Sequence, residues 1–408
     1  MLSIMDINAT LARRLQMHAH KYESFIIALL VVAIYFSTAL AIVLSALIGS
    51  IWLLSTRFIE LPGILNRNPV AASAMLLFFW FILGASYTSA TSGEAFSMVM
   101  KYRELLFIPI FISILTTEDY RDWAWKAFFI ASLLTLLISY LMYFGFIGLS
   151  IQGDPSFKNR ISHSIFISFF AFFCAHKAYQ DSSFQKLYMI LVVISIHNLF
   201  FVVPGRTGQL ITIALSGLFA MQRLGNKQRL LAAFIVILSL TAYVNFSDKS
   251  NRMFEAFTST QAYLKPVPEQ TESSMGLRYT FWKNSLKLIN EKPFLGYGTG
   301  SYSKEYRRIA QNDRVESKNP HNEFIMIGVQ LGLLGLTIYL GFLISQYYYA
   351  KKLQNENKWL AQGLLLSLII TSMFNSPLMD HNEGHWFATM IALCFASSQE
   401  KEKKHVVI

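Results

Sequence analysis

Long apolar runs recur along this chain, and all but one of the polar segments between them are short. Runs that span a bilayer, or nearly so, lie near 24–38, 40–56, 69–89, 98–115, 122–146, 161–178, 186–203, 206–223, 228–246, 322–350, 358–377 and 383–398. They predict an all-α polytopic membrane protein with about 12 transmembrane helices. The first two runs share one continuous apolar stretch and read either as a tight hairpin or as a single long helix. Pro204-Gly205-Arg206 splits the 186–223 region with a breaker followed by a charge, which predicts a tight turn. The chain thus divides into helices 1–9 over 1–246, a long loop over 247–320, and helices 10–12 with a short tail over 321–408.

The long loop exceeds what a bare connection needs, so it is expected to be functional. Within it, GLRYTFWKNSLKLINEKP predicts an amphipathic helix with Arg278, Trp282, Leu286 and Ile289 on one face, stopped by Pro293. Gly296, Gly298 and Gly300 then predict a flexible turn. The loop ends at Asn319-Pro320-His321-Asn322-Glu323, where a polar turn hands over to the apolar run of helix 10. Pro320 suits a first helical position, which would place His321 and Asn322 in the opening turn. Gly332 and Gly335 lie deeper, as small residues that let another helix approach.

Charge orients this pattern. With the N-terminus inside, Arg13, Arg14, Lys21, Arg57, Arg67, Arg121, Lys126, Lys177, Lys186, Arg223, Lys227, Arg229, Lys351, Lys352, Lys358, Lys401, Lys403 and Lys404 fall on the inner side. The short outer loops hold only Lys158, Arg160 and Arg206. This asymmetry predicts cytoplasmic termini and a long loop outside. Composition agrees: 54% of the 408 residues are hydrophobic and 14% charged, with a mean hydropathy of +0.41. The first twenty residues lack an apolar h-region, so no cleaved signal peptide is expected. Cys174 and Cys394 both sit in apolar runs, which suggests neither a disulfide framework nor a cysteine zinc site.

Three outer residues, Arg206, Arg278 and His321, each fall at or near a predicted helix start, where anions are stabilised. Two guanidinium forks suit a diphosphate, and a histidine near neutral pH suits a general base. The bland alternative is that interfacial arginines simply reach for lipid headgroups and the histidine is structural. Lys101, Arg103 and Glu104 interrupt the fourth run, where charges face either a ligand cavity or one another in an internal ion pair. Asp380-His381-Asn382-Glu383-Gly384-His385 has the look of a metal cluster but matches no zinc spacing, so no metal is expected there. Asp380 is a candidate acid or orienting partner. With no Walker loop, dinucleotide fingerprint or zincin helix, no cofactor is expected, and no nucleic acid partner.

Gly205-Arg206-Thr207-Gly208-Gln209, Gly276-Leu277-Arg278 with Trp282 and the Pro293-to-Gly300 turn, and His321-Asn322 followed nine residues later by Gly332-Leu333-Leu334-Gly335 narrow the reading further. In these motifs the sequence resembles the bacterial O-antigen ligase family, grouped with O-antigen polymerases and protein O-oligosaccharyltransferases. The resemblance covers essentially the whole chain, the first hundred residues by hydropathy alone. It implies a glycosyltransferase-C-type enzyme of the inner membrane. Such an enzyme moves polysaccharide from undecaprenyl diphosphate to lipid A–core oligosaccharide on the periplasmic face, without a metal. Carried over by motif, Arg206 and Arg278 would bind the diphosphate, His321 would act at the acceptor hydroxyl, and an acidic residue of the last outer loop, by position Asp380, would assist. Lys101 and Arg103 are further candidates for the diphosphate. A polymerase or protein oligosaccharyltransferase remains open, and so does a lipid-linked sugar transporter, although its usual midplane polar sites and repeated halves are not evident.

Overall fold

The computed structural model describes residues 21–150, 153–247, 258–261, 273–310 and 316–397. All regular structure among the described residues is helical. In chain order the helices are α1 (21–36), α2 (Thr38–Leu54), α3 (Leu61–Arg67), α4 (Pro69–Ser86), α5 (Ser92–Lys101), α6 (Glu104–Ile114), α7 (Glu118–Tyr143), α8 (Arg160–Gln180), α9 (Gln185–His197), α10 (Arg206–Arg223) and α11 (Asn226–Phe246). After them come α12 (Ser274–Glu291), α13 (Tyr302–Ile309), α14 (Glu323–Ala350), α15 (Asn355–Phe374) and α16 (His381–Phe395).

Six helices among the described residues are long and apolar enough to cross a membrane: α4, α7, α8, α9 with its continuation to Val202, α11 and α14. A seventh counts if α2 and the segment after it, bent by 83°, form one broken span. That is the make-up of a multi-pass membrane protein. The differences from the hydropathy pattern have local causes. The first apolar stretch is two helices parted at Ser37, whose side chain caps α2 by accepting from Leu40 N. The fourth run breaks at Tyr102–Arg103 into α5 and α6, because Lys101, Arg103 and Glu104 end one helix and begin the next. In α15 and α16, buried Ser367, Thr371, Ser372, Asn382, Glu383 and His385 replace the apolar residues a lipid-facing helix would carry.

Two sequence expectations about the long loop change. The buried stripe of α12 is Phe281, Asn284, Ser285 and Leu288, whereas Leu286 is 54% exposed. The reason is α13, whose Tyr302 and Tyr306 are fully buried with Phe281, Leu288, Met326 and Val329 in a core of their own. The segment after α12 is also no flexible turn. Gly296, Gly298 and Gly300 all have positive φ, and backbone bonds tie the segment to α14 and α4: Tyr297 N to Val329 O at 3.0 Å, Gly298 N to Gln330 O at 2.7 Å, Thr299 N to Gly84 O at 3.0 Å.

The partner of that segment is a break in α14. Gly332 sits at φ 64°, ψ −162°, outside helical geometry, and the groups it frees are taken up by the segment. Leu333 N reaches Pro293 O at 2.7 Å, and a Cβ on Gly332 would strike the Phe294 carbonyl. Gly332 therefore admits loop backbone rather than a neighbouring helix, while a Cβ on Gly335 would meet its own helix, at Leu331 and Ile327. The docked segment fixes α12, and with it Arg278, against the membrane helices.

Candidate functional site

Three helix starts converge at one cavity. Arg160 is the first residue of α8, Arg206 the first of α10, and Ser274 the first of α12, with Arg278 one turn further. All four line a cavity of about 370 Å³, together with Ser164 and Thr207. Asn159 caps α8 by accepting from Ser162 N at 2.8 Å, and Ser273 caps α12 by accepting from Gly276 N at 3.0 Å. Close packing brings the first two starts together: a Cβ on Gly208 would collide with Ser164, and Ser168 Oγ lies 2.9 Å from Thr212 Oγ1. Helix N-termini present unpaired N–H groups and positive dipole ends, and here guanidinium groups add to them. Such an arrangement can stabilise an anion.

The arginines feel one another. Burial first, and then the charge of Arg206, hold the Arg278 guanidinium below its ordinary pKa, although an arginine stays protonated throughout. Arg160 has a carboxylate neighbour, Asp154 Oδ1 at 3.5 Å. The sequence reading passed over Arg160 as a loop charge. Its signal was the preceding Asn159, a strong N-cap that marks the arginine as a helix start.

His321 lies beside this cluster. It precedes α14 rather than opening it: Asn322 is the N-cap, accepting from Ile325 N at 3.0 Å, and Pro320 stands outside the helix. Asparagine wins the cap position because its side chain reaches back to an orphan N–H. His321 itself is in the left-handed region at φ 52°, uncommon for a residue with a Cβ. The turn is pinned by Trp282 Nε1, which donates to Pro320 O at 2.8 Å. It is pinned again through Asn319 Oδ1, which accepts from His321 N at 2.8 Å and from Ser376 Oγ at 2.9 Å. Burial first, and then the Arg278 charge, push the imidazole pKa down from its ordinary value of 6.5. A neutral imidazole accepts a proton.

Behind His321 the structure adds residues that the sequence did not single out together. Nδ1 of His321 faces Asn375 Oδ1 at 3.4 Å, and Asn375 Nδ2 donates to Glu383 Oε2 at 3.0 Å. Ser162 Oγ donates to the other oxygen of Glu383 at 3.2 Å. Glu323, 0% exposed, takes the Tyr102 hydroxyl at 2.6 Å and Leu378 N at 3.0 Å, which fixes the turn between α15 and α16.

The remaining expected site residues do not line the cavity of Arg206 and Arg278. Asp380 is the N-cap of α16, its Oδ1 accepting from Asn382 N at 2.9 Å and Glu383 N at 3.2 Å. Lys101 ends α5 and Arg103 precedes α6, and neither lines the cavity of Arg206 and Arg278. Arg103 donates to Met100 O and stands 3.8 Å from Glu104. Glu104 is buried and bonded to His381 Nδ1 at 3.0 Å and His385 Nδ1 at 3.2 Å, so its internal-pair reading holds. His385 continues to Ser45 Oγ at 3.1 Å. The apparent metal run is thus a helix cap followed by a hydrogen-bonded cluster, and among the described residues no group of three such side chains is disposed to hold an ion.

A match to a known family covers the same region. Residues 189–340, which include Arg206, Arg278 and His321, match a family model described as O-antigen ligase. An uncharacterized Haemophilus influenzae protein is 26% identical over 198 residues, 46% of this chain and 43% of that protein. A Rickettsia conorii protein named provisionally as a polysaccharide ligase is 32% identical over 98 residues, 22% of this chain and 23% of its own length. A Rickettsia typhi protein of the same description is 31% identical over 94 residues, 21% of this chain and 22% of its own. The chain therefore spans less than half the length of each of these relatives.

Proposed function

We propose that this chain, whose residues 189–340 match a family model described as O-antigen ligase, is a glycosyltransferase acting on a lipid diphosphate at the membrane surface. The donor is a polysaccharide on undecaprenyl diphosphate, and the acceptor is a hydroxyl of lipid A–core oligosaccharide. The cavity faces the periplasm, and both termini are cytoplasmic. One observation carries the reading: Arg206 and Arg278, 72 residues apart, meet at one cavity beside His321. In this assignment Arg160 is a third ligand of the diphosphate, Asp380 orders the start of α16, and Lys101 and Arg103 anchor the α5–α6 break.

The chemistry follows from the groups present. Attack at the anomeric carbon breaks its bond to the diphosphate oxygen, and charge builds on the leaving group. Fixed guanidinium groups and helix N-termini stabilise that charge in place. His321 takes the proton of the attacking hydroxyl at a ring nitrogen, which its depressed pKa keeps unprotonated near neutrality. In-line displacement inverts the anomeric centre. Neither step calls on a metal or a cofactor.

Purified protein in proteoliposomes, supplied with lipid-linked polysaccharide and lipid A–core, tests the assignment. A ligase yields polysaccharide joined to the core lipid. A polymerase lengthens the donor-linked chain instead, and a transporter forms no new glycosidic bond; either result would overturn the ligase reading.

A further inference from the structure

His321 has two ring nitrogens, and only one can face an acceptor hydroxyl as a base. Which one depends on the hydrogen bond made by the other. Nδ1 points to Asn375 Oδ1 at 3.4 Å, so the question becomes what keeps the oxygen of that amide, and not its NH2, turned toward the ring. A carboxamide turned end for end would offer a donor to Nδ1 and stabilise the wrong tautomer.

The answer lies one residue further in. Asn375 Nδ2 donates to Glu383 Oε2 at 3.0 Å, and the other Glu383 oxygen receives Ser162 Oγ at 3.2 Å. Glu383 is 1% exposed and Asn375 8%, so bulk water has little access to either. With Oε2 accepting from Nδ2 and Oε1 engaged by Ser162 Oγ, turning the amide would set its oxygen against Oε2. We propose that Asn375, held in orientation by Glu383, is a positioning residue that keeps the proton on Nδ1 of His321 and frees Nε2 to accept the proton of the acceptor hydroxyl. The inference rests on the assignment of His321 as base.

The groups around the imidazole are Arg278 from α12, Asn375 from the α15–α16 turn and, through Asn375, Glu383 from α16 with Asp380 beside it. Loss of the Asn375 bond removes an interaction that favours the protonated ring. Asn375→Leu is therefore expected to move the acid limb of kcat/KM to lower pH. It should also lower kcat about 10–100-fold, a loss of about 1.4–2.7 kcal/mol of transition-state stabilisation, with the KM for the lipid-linked donor unchanged. Glu383→Leu should behave the same way, and the double variant no worse than either single one, because both act through one bond. Glu383→Gln keeps an oxygen that can accept from Asn375 and should retain most of the wild-type kcat.

A second readout needs no turnover. The pH dependence of diethyl pyrocarbonate modification at His321, read by peptide mass spectrometry, reports the state of the imidazole in the intact protein in detergent. An unaltered kcat and acid limb in Asn375→Leu, with an unaltered modification profile, would overturn the positioning role while leaving His321 as base. Full activity in His321→Ala would overturn the base assignment itself. A normal profile with less folded protein would mean that Asn375 serves the fold alone.

Discussion

Replacing Gly332 with alanine tests whether the break in α14 is what seats the outer segment. The native φ of 64° and ψ of −162° lie where residues with a Cβ are strained, at about 1–3 kcal/mol. The added Cβ would also fall on the Phe294 carbonyl and 2.7 Å from Gly296 N, backbone that cannot turn aside as a side chain does. Relief means parting the segment from the helix, with loss of the bonds from Leu333 N to Pro293 O (2.7 Å) and Leu334 N to Phe294 O (3.3 Å). Each is worth about 0.5–1.5 kcal/mol, so the total cost is about 2–6 kcal/mol. At roughly 2.1 cal/mol/K of unfolding entropy per residue, each kcal/mol shifts the midpoint of a chain this long by about 1 °C. Size-exclusion chromatography after heating in detergent should show the midpoint lowered by about 2–6 °C. Gly341→Ala is the control, because nothing lies within 4 Å of the new Cβ and the backbone there is helical. Alanine should be neutral or slightly stabilising there. Equal midpoints for the two variants would refute the seating role of Gly332.

What the sequence revealed and what it hid divide along physical lines. Hydropathy found α4, α7, α9 with its continuation, α11 and α14, which keep apolar faces outside the protein, and also α8, whose apolar residues are mostly buried in protein. It says less about short helices that carry buried polar groups. α16 is buried along nearly its whole length, and its Glu383 and His385 are satisfied by Asn375, Ser162, Glu104 and Ser45. Helix starts were legible at Arg206 because Pro204-Gly205 is a local breaker, and that signal survives folding intact. The contact of His321 with Asn375 joins residues 54 apart through a turn whose shape depends on Glu323, Tyr102 and Ser376, so no local pattern encodes it. Gly332 misled in a different way. A glycine in an apolar run serves close helix packing or a broken backbone equally well, and the choice is made by the segment that docks on it.

The remaining predictions concern side, metal and charge. A cysteine at Lys318, an exposed position just before the His321 turn, should react with a membrane-impermeant reagent from the periplasm, and one at Gln354 should not; the opposite result would reverse the proposed orientation. Transfer should survive EDTA, since the leaving-group charge is assigned to arginines, and loss with rescue by Mg²⁺ would sink that assignment. Arg206→Lys and Arg278→Lys should each lose at least about tenfold in activity, because lysine keeps the charge but not the planar fork; full activity in both would return these arginines to headgroup contacts. The last prediction separates the two arginines by pH. His321 works as a base only when neutral, so activity falls as pH drops through its pKa, which burial and Arg278 hold below 6.5. Arg278→Gln removes the repelling charge, the imidazolium becomes easier to form, and the acid limb of kcat/KM should move up toward 6.5 without reaching it, since burial is the larger cause. Arg278→Lys keeps the charge and should leave the limb in place while lowering the rate. Arg206→Gln should move it less, because the charge that bears most directly on the imidazole is that of Arg278. An acid limb that stays fixed in Arg278→Gln would mean that the group titrating in the reaction is not His321.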